Sequence, residues 1–283
     1  MTTDVVPAPR ENSTAWDAPA HPTAFAAFRA LLLRDLRVLR REWVAFLVGS
    51  LMQPLLLVFV FTYVLPKVGL AVGGAARAGE FSTLLVAGVV GLSMFMQGLQ
   101  AVTIRFAIEF GYTREIEDRV MAPLPVWAVA VEKVVAGALQ ALAAGAVVFP
   151  IAAVVPATAV HLHPNVLALL AVGLLAALLS AVVGLVVGTL VDPGHIQLAF
   201  GAIVLPVTFF GAVYYPWAAL TPIPWLKYLA LANPLVYISE GLRGALTVGV
   251  PHMNLWLVAA AMSGFIVALG AVGIRGFRRR VID

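Results

Sequence analysis

At 283 residues, 62% of them hydrophobic and only 11% charged, with a mean hydropathy of +0.99, the chain holds more apolar surface than a water-soluble domain can bury. Its bulk solvent is therefore lipid. The absence of cysteine removes disulfides and thiol chemistry, and the formal net charge of +4 matters less than where the charges fall.

Residues 1–22 are polar, rich in Pro and Ala, and lack an apolar centre. They read as a short disordered cytoplasmic tail rather than a signal peptide, and 23–283 as a single transmembrane domain. The stretch "FAAFRALLLRDLRVLRREW" has helical period: Phe25, Phe28, Leu32, Leu36, Leu39 and Trp43 make one narrow stripe, and Arg34, Arg37 and Arg41 point away from it. A basic helix with such a face, over 24–43, lies in the headgroup plane. It is either a positive-inside anchor or a lever along the membrane that a cytoplasmic partner can push.

Six stretches then run apolar for the roughly 20 residues that a hydrocarbon core of about 30 Å requires: 44–64, 84–104, 134–155, 166–190, 196–215 and 255–274. Pro54 should kink the first. The fourth and fifth are parted only by "VDPGHI", a tight turn on Pro193 and Gly194. Fourteen of the 18 Lys and Arg residues precede the first span, lie in the segment 105–133 after the second, or follow the sixth; the other side has only Lys67, Arg77, Lys227 and Arg243. By the positive-inside rule both termini are cytoplasmic and the region between spans five and six faces outward.

The charged segment 105–133 includes Glu109, Glu115, Glu117, Asp118 and Glu132. Thr113 could cap a short helix "REIEDRVM" that Pro123 would stop. It reads as a solvated loop, or as a docking peg whose charges fix the register of a soluble subunit. Within the spans the polar side chains are mostly uncharged. Gln53, Gln97, Gln100, Gln140 and Gln197 either join helices by hydrogen bonds or line a translocation route. Gln97 and Gln100 share a helical face with Thr103 beyond, which makes them, with Gln53, the pathway candidates.

Residues 216–252 are broken by Pro222, Pro224 and Pro234 into pieces too short to cross, with Trp217, Trp225, Tyr228 and Tyr237 suited to headgroup level. They read as an outer re-entrant helical hairpin that includes Asn233 and Pro234. Glu240 and Arg243, at i and i+3, can pair on one helical face, as a brace for the hairpin or as an external gate.

Chemistry is sparse elsewhere. No G-x-x-x-x-G-K-[ST], HExxH or G-x-S-x-G occurs. His161 and His163 supply two ligands where a metal site needs more, and Asp192 and His195 suit turn chemistry. The expectation is no metal site and no catalytic residue.

Three features together resemble the permease subunits of type-2 ABC exporters. Glu109, Gly111, Thr113, Glu115 and "APLP" at 122–125 match the family's coupling region, with Tyr112 standing between the usual Gly-Thr pair. The amphipathic first helix followed by six spans matches as well. So does "YYPWAALTPIPWLKYLALANPLVYISEGLRGAL", which is similar to the daunorubicin-resistance-like branch. The resemblance implies an all-α bacterial plasma-membrane protein, a multi-pass drug-efflux or lipid-efflux permease assembled as a homodimer or heterodimer. It implies a separate ATPase subunit that binds ATP and Mg, since this chain binds no cofactor, with coupling through Glu109, Thr113, Glu115, Asp118 and Arg119. An apolar route suits a hydrophobic drug-like or lipid-like substrate. An ion-coupled secondary transporter is the alternative, although no charge sits mid-membrane for a proton relay. A membrane enzyme would need a catalytic constellation that is missing.

Overall fold

The computed structural model describes residues 23–70, 74, 78–111, 125–156 and 160–282. Apart from one isolated bridge between Leu162 and Thr247, the described residues are helices and their connections. Helix α1 (Ala24–Arg41) starts at Thr23, whose hydroxyl accepts from the Ala26 amide at 3.3 Å, and ends on Arg40 and Arg41, cations placed at the negative end of the helix dipole. Glu42 leaves helical geometry and turns the chain into α2 (Trp43–Val58). That helix continues as a π-helical stretch, Phe59–Val64, and a last turn, Leu65–Lys67. There follow α3 (Ala78–Gly111), α4 (Val126–Val154) and α5 (Val166–Leu190). After the 3₁₀ turn Pro193–His195 comes α6 (Ile196–Phe209). Two short helices, α7 (Pro224–Ala230) and α8 (Pro234–Leu246), precede α9 (Leu255–Ile282).

Among the described residues, four helices are long and apolar enough to cross a membrane: Gly79–Gly111, Trp127–Val154, Val166–Leu190 and Leu255–Val281; Met52–Lys67 and Pro193–Phe209 form shorter apolar helices. The bundle is built on α3, which packs against α4 and α5, while α9 packs on α5 and α8 wedges against α3, α5 and α9. In lipid there is no hydrophobic drive between helices, so close backbone approach has to supply the attraction. Ser180, Gly184 and Gly188 recur every four residues down one face of α5, and a Cβ on Gly184 would lie 2.7 Å from the Leu99 carbonyl oxygen of α3. Across the same seam the Thr103 hydroxyl donates to the Gly184 carbonyl at 3.0 Å. Other hydroxyls are hidden by bonding back within their own helix, as Ser93 does to Val89, Ser180 to Ala176 and Thr189 to Leu185.

Contacts fix which helix ends lie together. Lys133 near the start of α4 meets Glu109 near the end of α3 and Asp35 of α1. Arg280 near the end of α9 meets the carbonyls that close α5. These make one arginine-rich end. At the other, the Thr83 hydroxyl accepts from the His161 amide, and the His163 and Asn165 amides donate to Leu246 and Ala245 of α8.

The described parts of the segment 105–133 continue the neighbouring helices. Residues 105–111 finish α3 and 126–133 begin α4, so both Glu109 and Glu132 are buried helical residues rather than members of a solvated loop. The short helix expected near "REIEDRVM" lies outside the described residues.

Candidate functional site

Three groups of side chains could carry function, and the arginine-rich end holds the first. Lys133 Nζ sits 2.6 Å from Asp35 Oδ2, 3.1 Å from Glu109 Oε1 and 3.5 Å from Glu132 Oε2. All four residues are at most 3% exposed. An ammonium has three donors on one compact centre, which lets it serve carboxylates from three helices at once. Of the proposed coupling residues, Glu109 enters this cluster; Thr113, Glu115, Asp118 and Arg119 lie outside the described residues.

Sequence reasoning missed Asp35 and used Lys133 only for topology. The available signals were an acidic residue beside the apolar stripe of an otherwise arginine-rich helix, and a Glu-Lys pair entering an apolar run at 126–154. In the sequence Arg280 is likewise only one of the cations that follow the sixth span. Its Nη1 donates to the carbonyls of Thr189 and Val191 at 3.2 and 2.9 Å, and its guanidinium lies over the Phe110 ring, 5.0 Å from the centroid. It closes the C-terminus of α5, where carbonyls lack helical partners.

The second group lines a cleft between α2, α3 and α6. A cavity of about 690 Å³ is bounded by Gln53, Gln100 and Gln197 among apolar residues that include Met96, Ile104, Phe200 and Leu205. Gln97 lies toward the neighbouring helix, with its Nε2 3.5 Å from Gln140 Oε1. It also lines a much smaller recess, about 20 Å³, together with Gln53, Pro54, Ser93 and Gln100. Thr103 is fully buried against α5 and so does not extend the row of glutamines into the cleft. The outer side of α6 is bare, with Leu198 and Phe209 exposed.

The third group lies in the segment 212–253. Asn233 caps α8, its Oδ1 accepting from the Leu235 amide at 3.0 Å, and Pro234 occupies the first turn, where a missing N–H costs nothing. The Asn233 Nδ2 donates to the Val207 carbonyl of α6 at 2.8 Å, which ties the start of α8 to that helix. Arg243 Nη1 contacts Glu240 Oε1 at 2.5 Å, and both side chains are essentially inaccessible to solvent.

Three other segments converge on this pair. The Trp217 amide donates to Glu240 Oε1 and the Met253 amide to Oε2, each at 2.8 Å, while Arg243 Nη2 donates to the Ala212 carbonyl at 2.9 Å. Ala212 has φ +53°, a left-handed conformation that costs a residue with a Cβ about 1–2 kcal/mol. The adjacent Val213 carbonyl lies so close to Gly88 of α3 that a Cβ there would collide with it. The pair thus bonds to the entry of the 212–253 segment at Ala212 and Trp217 and to its exit at Met253.

No group of three or more His, Asp or Glu side chains among the described residues has the geometry of a metal site. The family model described as ABC-2 type transporter matches residues 26–247, which is most of the chain. No curated protein matches it.

Proposed function

The chain belongs to the ABC-2 type transporter family; it is the transmembrane component of an ABC transporter, works with an ATP-binding partner subunit, and on that premise we propose that it exports a hydrophobic, drug-like or lipid-like substrate. The observation that carries this reading is the cleft between α2, α3 and α6. Its walls are apolar enough for a lipophilic molecule, and Gln53, Gln100 and Gln197 offer uncharged donors and acceptors along it. No mid-cleft charge would have to be desolvated as the substrate moves.

Six spans with cytoplasmic termini fit the distribution of arginines, with α2 and α6 completing the four long helices. The exposed apolar side of α6 supports a second permease chain, alike or different, closing the cleft from the opposite side. The helices between 216 and 252 act as an outer lid in the lipid headgroup region, with exposed Trp225 and Tyr228 as anchors. The daunorubicin-resistance-like branch and a bacterial plasma membrane complete the proposal.

In operation, nucleotide binding closes the ATPase dimer of the partner. Glu109 and the connector bearing Thr113, Glu115, Asp118 and Arg119 receive that movement, and α1 transmits it along the membrane plane. ATP and Mg are held by the partner alone.

The test is co-purification from native membranes followed by reconstitution. An ATPase should accompany the chain and be lost on Glu115→Ala or Asp118→Ala. ATP should drive uptake of a lipophilic fluorescent dye into inside-out vesicles, blocked by vanadate and indifferent to collapse of the proton gradient. A transport-competent particle that contains no ATPase would overturn the proposal.

A further inference from the structure

We propose that Lys133 is a positioning residue that joins α1 and the inner end of α3 into one body on α4, so that a push on either is delivered to both. The inference rests on the reading of the chain as an ATP-driven permease and goes beyond it, because that reading does not say how movement received at the connector reaches α1.

Geometry carries the argument. Lys133 on α4 holds Asp35 of α1 at 2.6 Å and Glu109 of α3 at 3.1 Å, with Glu132 of its own helix at 3.5 Å. Glu109 lies two residues before Gly111, the last described residue of α3. Asp35 lies mid-way along α1, the helix whose arginines face outward, and α1 packs on the bundle chiefly through α4. One ammonium therefore stands between the helix end proposed to receive the partner's movement and the helix proposed to transmit it.

The chemistry explains why a lysine suits this place better than an apolar side chain. An apolar contact between α1 and α4 resists separation but permits sliding, because dispersion is non-directional. A buried ion pair resists both, since displacing either partner leaves an uncompensated charge away from water. Such a pair adds little to net stability compared with good apolar packing, so its useful property is register. At most 3% exposure keeps water from replacing a carboxylate partner during movement.

The native chain lacks cysteine, so labels can be introduced without background. Arg37→Cys on the exposed side of α1, Trp127→Cys at the start of α4 and Tyr228→Cys on the hairpin are spin-labelled in pairs. The labelled chain is purified with its ATPase in lipid nanodiscs, and distances are recorded without nucleotide and after trapping with ATP and vanadate. With Lys133 present, the Arg37–Trp127 distance should be narrow in both states, and the Arg37–Tyr228 distance should shift on trapping.

In the Lys133→Met complex, ATP hydrolysis should persist within about threefold of native, while the Arg37–Trp127 distribution broadens and the trapping shift is lost. Lys133→Arg, which keeps the charge but not the compact centre, should restore both in part. Asp35→Asn, which leaves Lys133 with Glu109 and Glu132, should give a partial broadening and decides the matter if Lys133→Met does not assemble. Native distances and a full shift in Asp35→Asn or Lys133→Met would overturn the proposal. So would a loss of hydrolysis in step with the loss of the shift, since that marks a residue needed only for folding. Failure of the native chain to retain an ATPase would refute the permease reading instead, and the Arg37–Trp127 width would still report on the joint.

Discussion

Replacing Arg243 with methionine should loosen the hairpin at both ends while leaving the four long helices in place. The substitution keeps most of the side-chain volume and removes the guanidinium. It eliminates the bonds to Glu240 and to the Ala212 carbonyl, and leaves Glu240 as a buried carboxylate held only by the Trp217 and Met253 amides. Removing one partner of a fully buried pair costs about 3–5 kcal/mol. The left-handed turn at Ala212 adds to the tendency to open, because its strain of about 1–2 kcal/mol is no longer opposed.

Read as local opening, 3–5 kcal/mol corresponds to roughly two to three and a half decades of exchange rate. Hydrogen exchange by mass spectrometry in nanodiscs should therefore show faster labelling of peptides spanning 211–217 and 250–254, with little change in 166–190. The double variant Glu240→Gln/Arg243→Met should cost clearly less than the sum of the two single changes, because the interaction is already lost in either one. Exchange within threefold of native in both peptides would refute the brace, as would costs that simply add. Transport read in parallel separates brace from gate: a variant with native exchange but lowered transport would favour the gate.

Arg280→Ala removes two hydrogen bonds to the carbonyls of Thr189 and Val191 and should destabilise the end of α5 by about 1–2 kcal/mol, seen as faster exchange over 187–195. Lysine at this position should restore only part of it, because one ammonium does not reproduce the planar fork. Gly184→Val places a branched side chain against the Leu99 carbonyl and Val102, 2.7 and 3.0 Å from the ideal Cβ position. It should cost upwards of about 2 kcal/mol and break the bond from Thr103, measured as loss of monodisperse protein and faster proteolysis; a native melting curve would show that the α3–α5 seam is looser than its geometry. Gln100→Leu should leave the fold unaltered, since the side chain borders a cleft, yet change the ATP-driven uptake of a lipophilic dye several-fold. Unchanged uptake would remove Gln100 from the pathway.

Local features of the hairpin could be read without coordinates. Asn233 and Pro234 announce a helix start by cap and ring geometry, and Glu240 and Arg243 meet because i and i+3 share a helical face. What could not be read is that Ala212, Trp217 and Met253 converge on that pair from three other segments. The glutamines show the same division. All were visible as polar residues in apolar runs, but only the packing separates Gln53, Gln100 and Gln197, around one cleft, from Thr103, which is spent on joining α3 to α5.

By itself the sequence determined the solvent, the apolar helical segments and the amphipathic character of α1. Each depends on transfer free energy or helical period summed over about twenty neighbouring residues, and such sums need no knowledge of the fold. Only the tertiary structure decided which charges share a site. Asp35 and Lys133 are 98 residues apart, and Arg280 lies 91 residues from the Thr189 carbonyl it closes. The energy of a buried pair depends on a few ångströms of separation and on the exclusion of water. Helix packing sets both quantities, and no window along the chain contains them.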